Sequence, residues 1–155
     1  MKKIFINLLF LCVFSINLDV VSHSAPVCPT KPAIQYMQVS SSGLVNKPQL
    51  YLGKNIKITA TFNKFSSLGL DYKPAMRSSK EYVSFLIKRE NTGDTIIPLS
   101  EVKFFIKKDK AEKMDIESGD KVEITGKVFS NALGDAWVDV SELKNLTPKP
   151  AKTKK

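Results

Sequence analysis

The sequence predicts an all-β fold, a small closed barrel of five strands with one short helix between the third and fourth. Three observations carry this expectation. In the stretch Ser118 to Leu143, Gly119-Asp120 turns the chain into a run in which Val122, Ile124 and Val128 face one way. Lys121, Glu123, Thr125 and Lys127 face the other, the period-two pattern of a half-buried strand. Gly126 interrupts that run where a strand must bend or let another backbone approach, as at a barrel corner. The same alternation recurs upstream in short runs bounded by turn residues.

Taken in order, Ile34 to Val39 fits either a short added strand or a helical turn, and Ser40 to Gly43 reads as a loop. Asn46 to Gly53 has the marks of one helical turn, with Asn46 as cap, Pro48 in the first turn and Gly53 as stop. Its Leu50, Tyr51 and Leu52 are expected to plug the end of the barrel. The first strand starts at Asn55, where Ile56, Ile58, Ala60 and Phe62 alternate with Lys57, Thr59, Thr61 and Asn63. A connection from Phe65 to Ser79 is too long for a tight hairpin, and long loops in compact domains are usually functional or mobile.

The second strand is Tyr82 to Arg89, with Val83, Phe85 and Ile87 inward. Asn91-Thr92-Gly93-Asp94 is a turn, and Thr95 to Leu99 is expected to begin the third strand. Pro98 marks a bulge or an unpaired edge position there, and Val102 to Ile106 extends the strand past a kink. Lys107 to Met114 is a short polar helix with Ala111 and Met114 on its buried side. The last hairpin follows, with its second strand at Ala136 to Val140, and Leu143 and Leu146 closing the fold.

Five strands with a helix between the third and fourth is the connectivity of the OB-fold, a partly open Greek-key barrel. An SH3-like barrel, the nearest competitor, lacks a helix at that place. The residues Tyr51-Leu52-Gly53-Lys54, the Ile56 to Phe62 strand and Gly119 to Val128 resemble small exported bacterial OB-fold proteins. They are also similar to OB domains of the tRNA-anticodon-binding type. The resemblance runs from Tyr51 to Leu146 and rests on core and turn positions. It implies binding through loops and an open barrel face, with no catalytic residue carried over.

With 155 residues there is room for one domain. Lys2-Lys3, the apolar run Ile4 to Leu18 and the small residues Ser22 and Ser24 lay out a secretory signal peptide, with cleavage before Ala25. The apolar run is short for a membrane span, and Asp19 ends it, so no transmembrane segment is expected after cleavage. Bacterial lipidation wants a small residue before the cysteine, and Leu11 and Val27 precede Cys12 and Cys28. The expected organisation is a signal peptide at 1–24, a Pro/Ser-rich leader at 25–45, the OB-fold domain at 46–147 and a disordered Lys-rich tail at 148–155. Localisation is expected to be the periplasm or outside the cell.

Cleavage removes Lys2, Lys3 and Asp19 and takes the net charge from +9 to +8. Lys149, Lys152, Lys154 and Lys155 account for four of those charges, which leaves the folded part modestly basic. The tail cannot bury apolar surface and reads as a solubilising end, or as a means of holding the protein near an anionic polymer. Cys28 becomes the sole cysteine, either paired with another molecule or unused.

Catalysis is argued against by the residue inventory. His23, the sole histidine, leaves with the signal peptide, so a Ser-His or Cys-His arrangement has no base. Cys28 alone cannot build a zinc site, and no phosphate-cradling glycine loop is present, so neither metal nor cofactor is expected. Asn145-Leu146-Thr147 is formally a glycosylation acceptor, relevant only in a eukaryotic source.

Binding is the better prospect, and two similar loops mark where. Phe65-Ser66-Ser67-Leu68-Gly69-Leu70-Asp71-Tyr72 resembles the stretch Phe129 to Trp137: each has Phe-Ser, Leu-Gly, an acid and an aromatic beyond. As the strand 1–2 and strand 4–5 connections of an OB-fold they frame its ligand face. Alternation puts Asp135, Trp137 and Asp139 on one side, opposite Val138 and Val140. The candidate ligand-binding residues are Tyr72, Lys73, Arg77, Tyr82, Asp135, Trp137 and Asp139. Two readings of Trp137 stand: a stacking or cation-binding patch, or a cap on the barrel mouth under the long loop, with Arg77 bridging to Asp135 or Asp139. The expected partner is an envelope protein, peptide or glycan, with single-stranded nucleic acid or another polyanion as the alternative.

Overall fold

A computed structural model describes residues 34–148, and the expected signal peptide, Cys28 and the Lys-rich tail lie outside the described residues. The described chain is mostly β. Its elements are β1 (Met37–Gln38), α1 (Ser41–Asn46), β2 (Asn55–Ser66), β3 (Tyr82–Lys88), β4 (Pro98–Lys107), α2 (Lys108–Ala111), β5 (Lys121–Ser130) and β6 (Ala136–Asn145). They form one six-stranded sheet in the order β1-β2-β3-β4-β6-β5, with a further β2–β5 pairing. Each of the five long strands is therefore paired on both sides. The β2–β3, β3–β4, β5–β6 and β2–β5 pairs are antiparallel, whereas β4 and β6 run parallel. No helix among the described residues is long and apolar enough to cross a membrane.

Alternation drives the inner face. Ile56, Ile58 and Phe62 of β2 join Phe85, Ile87, Val102, Phe104, Ile106, Val122, Ile124, Val128, Val138 and Val140 in one buried cluster. Gly126 does what a glycine at a close approach must do. A Cβ there would stand 2.5 Å from the Asp139 carbonyl oxygen and 3.0 Å from the Val140 Cα. The register shifts at this point, between Thr125 and Gly126.

That shift explains why β6 outruns its expected end at Val140. Gly126 pairs with Val140 and Thr125 with Glu142, so Ser141 is an extra residue on β6. The bulge resets the phase, and Leu143 faces inward, while Leu146 is 42% exposed and does not close the core. Ser141 anchors the bulge by donating its hydroxyl to the Thr125 carbonyl at 3.0 Å.

Five other expectations are corrected upstream. The serine run is no loop: Ser40 caps α1, its Oγ accepting from the Gly43 N–H at 3.1 Å, as serine at a helix start favours. Leu44 of α1 is fully buried in the main cluster, and β1 pairs in parallel with Ile56 and Lys57, so part of the expected leader belongs to the fold. The turn at Pro48–Tyr51 is 3-10, and Lys47, not Asn46, is its cap. Leu50 and Leu52 are 60% and 46% exposed, and Tyr51 alone of that trio packs on the core. The third strand begins at Pro98, where a missing N–H costs no ladder bond, and Thr95 to Ile97 belong to the hairpin loop. α2 is one turn long, with Ala111 and Met114 packed on the core as their spacing suggests.

Candidate functional site

β4 is buried on both faces: Val102, Phe104 and Ile106 point into the ring, Lys103 and Phe105 away from it. Strand alternation leaves Phe105, Trp137 of β6 and Phe129 of β5 on the outer side, and the Phe65–Ser79 connection folds across them. Phe105, Trp137 and Ala75 form a second buried cluster, packed by Leu70, Tyr72, Tyr82, Phe129 and Ala132. Trp137 lies between two stacked rings, Tyr72 at 5.4 Å and Phe105 at 5.5 Å between centroids. Its indole N–H donates to the Ala132 carbonyl at 2.7 Å, which satisfies the one polar atom this ring must bury.

Gly69 explains how the loop comes so close. It sits at φ +80°, and a Cβ there would lie 3.1–3.2 Å from Phe105 Cζ and from Trp137 Cη2 and Cζ3. Gly134 in the companion loop has φ +79°, so the two loops that look alike in sequence share a left-handed glycine. Asp71 holds the far side, accepting from the Ser79 N–H at 3.0 Å while its own N–H donates to the Arg77 carbonyl. Hydrogen bonds from Ser79 keep the Asp71 carboxyl below its ordinary range.

The charges of this layer neutralise one another. The Arg77 guanidinium lies over the Phe129 ring, its Cζ 3.7 Å from the centroid, and Nη2 donates to Asp139 Oδ2 at 2.9 Å. The cation–π contact is worth about 0.5–2 kcal/mol and the partly exposed ion pair adds under about 1 kcal/mol. Lys103, 8% exposed, pairs with Asp135 at 2.6 Å and also donates to the Ser100 carbonyl.

Six of the seven candidate residues thus come together: Tyr72, Arg77, Tyr82, Asp135, Trp137 and Asp139 belong to this layer or pair with it. Lys73 opens a 3-10 turn at Lys73–Ala75 and is exposed. Trp137 is fully buried, in the place a cap would take, with Arg77 bridging to Asp139. Sequence reasoning missed Phe105 and Lys103, and had Phe129 only as the start of the second loop. The alternation Val102-Lys103-Phe104-Phe105-Ile106 held the signal, since a strand places Lys103 and Phe105 together opposite the inward trio.

Beside the closed layer lies an open groove of about 320 Å³. Tyr36, Tyr82, Lys107, Lys110, Lys127, Asp139 and Ser141 line it. Lys110 Nζ donates to the Ser141 carbonyl at 2.7 Å, and Asp139 is the acid already held by Arg77. The exposed lysines 107 and 127 make the groove basic, with two half-buried tyrosines beside them. Among the described residues no group of three histidine, cysteine or acidic side chains is placed to hold a metal.

No family model matches the chain, and no curated protein matches it. Among solved structures it is similar to a chain described as a "putative aspartyl-tRNA synthetase from Leishmania major Friedlin", with a TM-score of 0.46 and 11% identity. That match covers 81% of this chain and 23% of the other, so the chain spans less than a quarter of that protein's length.

Proposed function

We propose that the chain is an exported, non-catalytic OB-fold module that binds an extended anionic glycan of the bacterial envelope beside its two stacked loops. The fold reading is supported by the strand order. A three-stranded antiparallel meander, a helix before the fourth ring strand, and a parallel β4–β6 pair that returns the last strand beside the third follow the Greek-key path of that fold. Export rests on the N-terminal pattern, and the absence of a base on the loss of His23.

The observation that carries the ligand class is the groove. Its lysines outnumber its one acid, and that acid is committed to Arg77. Tyr36 and Tyr82 offer aromatic faces on which sugar rings can pack. An envelope protein or peptide would use the same face with acidic side chains in place of sugar carboxylates.

Single-stranded nucleic acid is the second reading, favoured by the same pairing of basic and aromatic groups. It ranks second because Trp137, the best stacking ring, is buried, and because export separates the protein from that ligand.

The test titrates the chain from Ala25 with polygalacturonate, a neutral glycan of similar length and a labelled single-stranded oligonucleotide across a salt series. It is repeated with Lys107→Glu plus Lys127→Glu, both exposed positions. Salt-sensitive binding of polygalacturonate that the double variant loses supports the proposal. Tighter binding of the oligonucleotide transfers the site to the second reading. Failure of both at low salt sinks both.

A further inference from the structure

The circuit of strand pairings has a gap. β1 leaves β2 after Gln38↔Lys57, and β3 joins it at Phe62↔Ile87, so Ile58 to Thr61 are paired on one side only, with β5. The Lys57 carbonyl faces the β1 side, where it accepts from the Val39 N–H at 2.9 Å. Alternation turns the Thr59 N–H and C=O the same way, toward β3. On the opposite wall the Arg89 N–H donates into the β3–β4 hairpin, to the Ile97 carbonyl, and Glu90 begins the turn that follows β3. Had the β2–β3 ladder continued, Thr59 and Glu90 would be partners. Instead the strands splay, and Thr59, Ala60, Thr61, Lys88, Arg89 and Glu90 line a slot of about 350 Å³.

We propose that this slot takes an extended peptide segment of a protein partner that carries an acidic side chain, added between β2 and β3 as a short strand. A residue in a packed sheet occupies about 160 Å³, taking a rise of about 3.3 Å, a strand spacing of about 4.8 Å and a sheet spacing of about 10 Å. The slot therefore has room for about two residues. Strand addition draws its affinity from main-chain hydrogen bonds, and Thr59 supplies them on the β2 wall.

The acidic preference comes from the rim. Arg89 is paired with Glu101, and Glu90 accepts from the Ser41 N–H at 3.2 Å. Lys88 donates to the Gly93 carbonyl, and among the described residues no carboxylate pairs with Lys88 or Lys121, which both line the slot. The chain's own ends are poor occupants. Residues 149–155 carry four lysines and no acid, and residues 25–33 carry three prolines, which lack the N–H a ladder needs. The inference is independent of the groove, which lies among other residues.

The experiment records amide NMR shifts of the chain from Ala25 against three acetylated, amidated pentapeptides of alternating valine and threonine. One has a central aspartate, one a central lysine, and one the aspartate with alternate amides N-methylated. The aspartate peptide is expected to shift Thr59 to Thr61 and Lys88 to Glu90 and to saturate near about 1 mM, with the lysine peptide about tenfold weaker. N-methylation abolishes the shifts, and Lys88→Glu with Lys121→Glu reverses the charge preference. In the free protein the Thr59 amide exchanges with solvent faster than the Ala60 amide, which faces β5. Equal protection of the two amides, no shift with the aspartate peptide at 10-fold higher concentration, or equal shifts with all three peptides would overturn the proposal.

Discussion

Gly69→Ala tests whether the long loop is seated on the aromatic stack. The substitution puts a Cβ at φ +80° and within 3.1–3.2 Å of Phe105 and Trp137. The left-handed conformation costs alanine about 1 kcal/mol, and overpacking against rings held from both sides adds about 1–3 kcal/mol. Alanine also stiffens the unfolded chain, which offsets about 0.4–1 kcal/mol. The net loss is about 2 kcal/mol, roughly a 30-fold shift toward the open loop. Trp137 is the only tryptophan in the sequence, so emission wavelength and acrylamide quenching read the loop directly. Gly53→Ala is the control: its φ is +76° and nothing lies within 4 Å of the added carbon. If both variants leave Trp137 equally shielded and share one urea midpoint, the rings do not seat Gly69 and the reasoning fails.

Gly126→Ala should be harsher, because its clash is with backbone, and prising β5 from β6 gives up two or three hydrogen bonds, about 3 kcal/mol in a urea melt. A midpoint within error of the parent would contradict the close approach. Leu44→Ala should cost about 2–5 kcal/mol, the range for a fully buried leucine, and a chain begun at Asn46 should melt at least as early. For Asp71, whose carboxyl Ser79 holds below its ordinary value, the sign is that of a depressed acid. The stabilisation is present above the ordinary carboxylate range and is lost as pH falls through the lowered value. Trp137 quenching should therefore rise on acidification below about pH 4, and Asp71→Asn should remove that component while loosening the loop at neutral pH.

β2 and β5 were legible because apolar and polar residues alternate along them, so the pattern reports directly on the fold: Ile56 to Phe62 and Val122 to Val128 are read from the sequence and found in place. What was not legible depended on registers between distant strands. Nothing local to Ser141 announces a bulge; the phase change exists because Gly126 lets β5 and β6 meet closely. α1 was obscured by composition, since a serine run looks like a loop until Leu44 is known to have a core to enter. The candidate site was readable as a pair of similar loops and an alternating Asp-Trp-Asp strand. Its partners Phe105, Phe129 and Lys103 come from two other strands, and only the parallel β4–β6 pairing brings Phe105 opposite Asp139. The basic groove was invisible for the same reason, because Tyr36, Lys107 and Lys127 are far apart in the chain.

Burial of β4 on both faces has a consequence before the fold forms. Val102-Lys103-Phe104-Phe105-Ile106 is β-prone and apolar in all but one position, the composition of a segment that self-associates when exposed. A chain that has not yet folded presents this segment in the open until its partners on β3 and β6 have arrived. Lys103 interrupts it from within, and Lys107, Lys108 and Lys110 follow it closely. Such charges act as gatekeepers against aggregation. The same lysine that neutralises Asp135 in the finished protein thus guards the unfinished one, and Lys103→Leu is expected to leave more of the newly made chain in insoluble form than its effect on the melting curve accounts for.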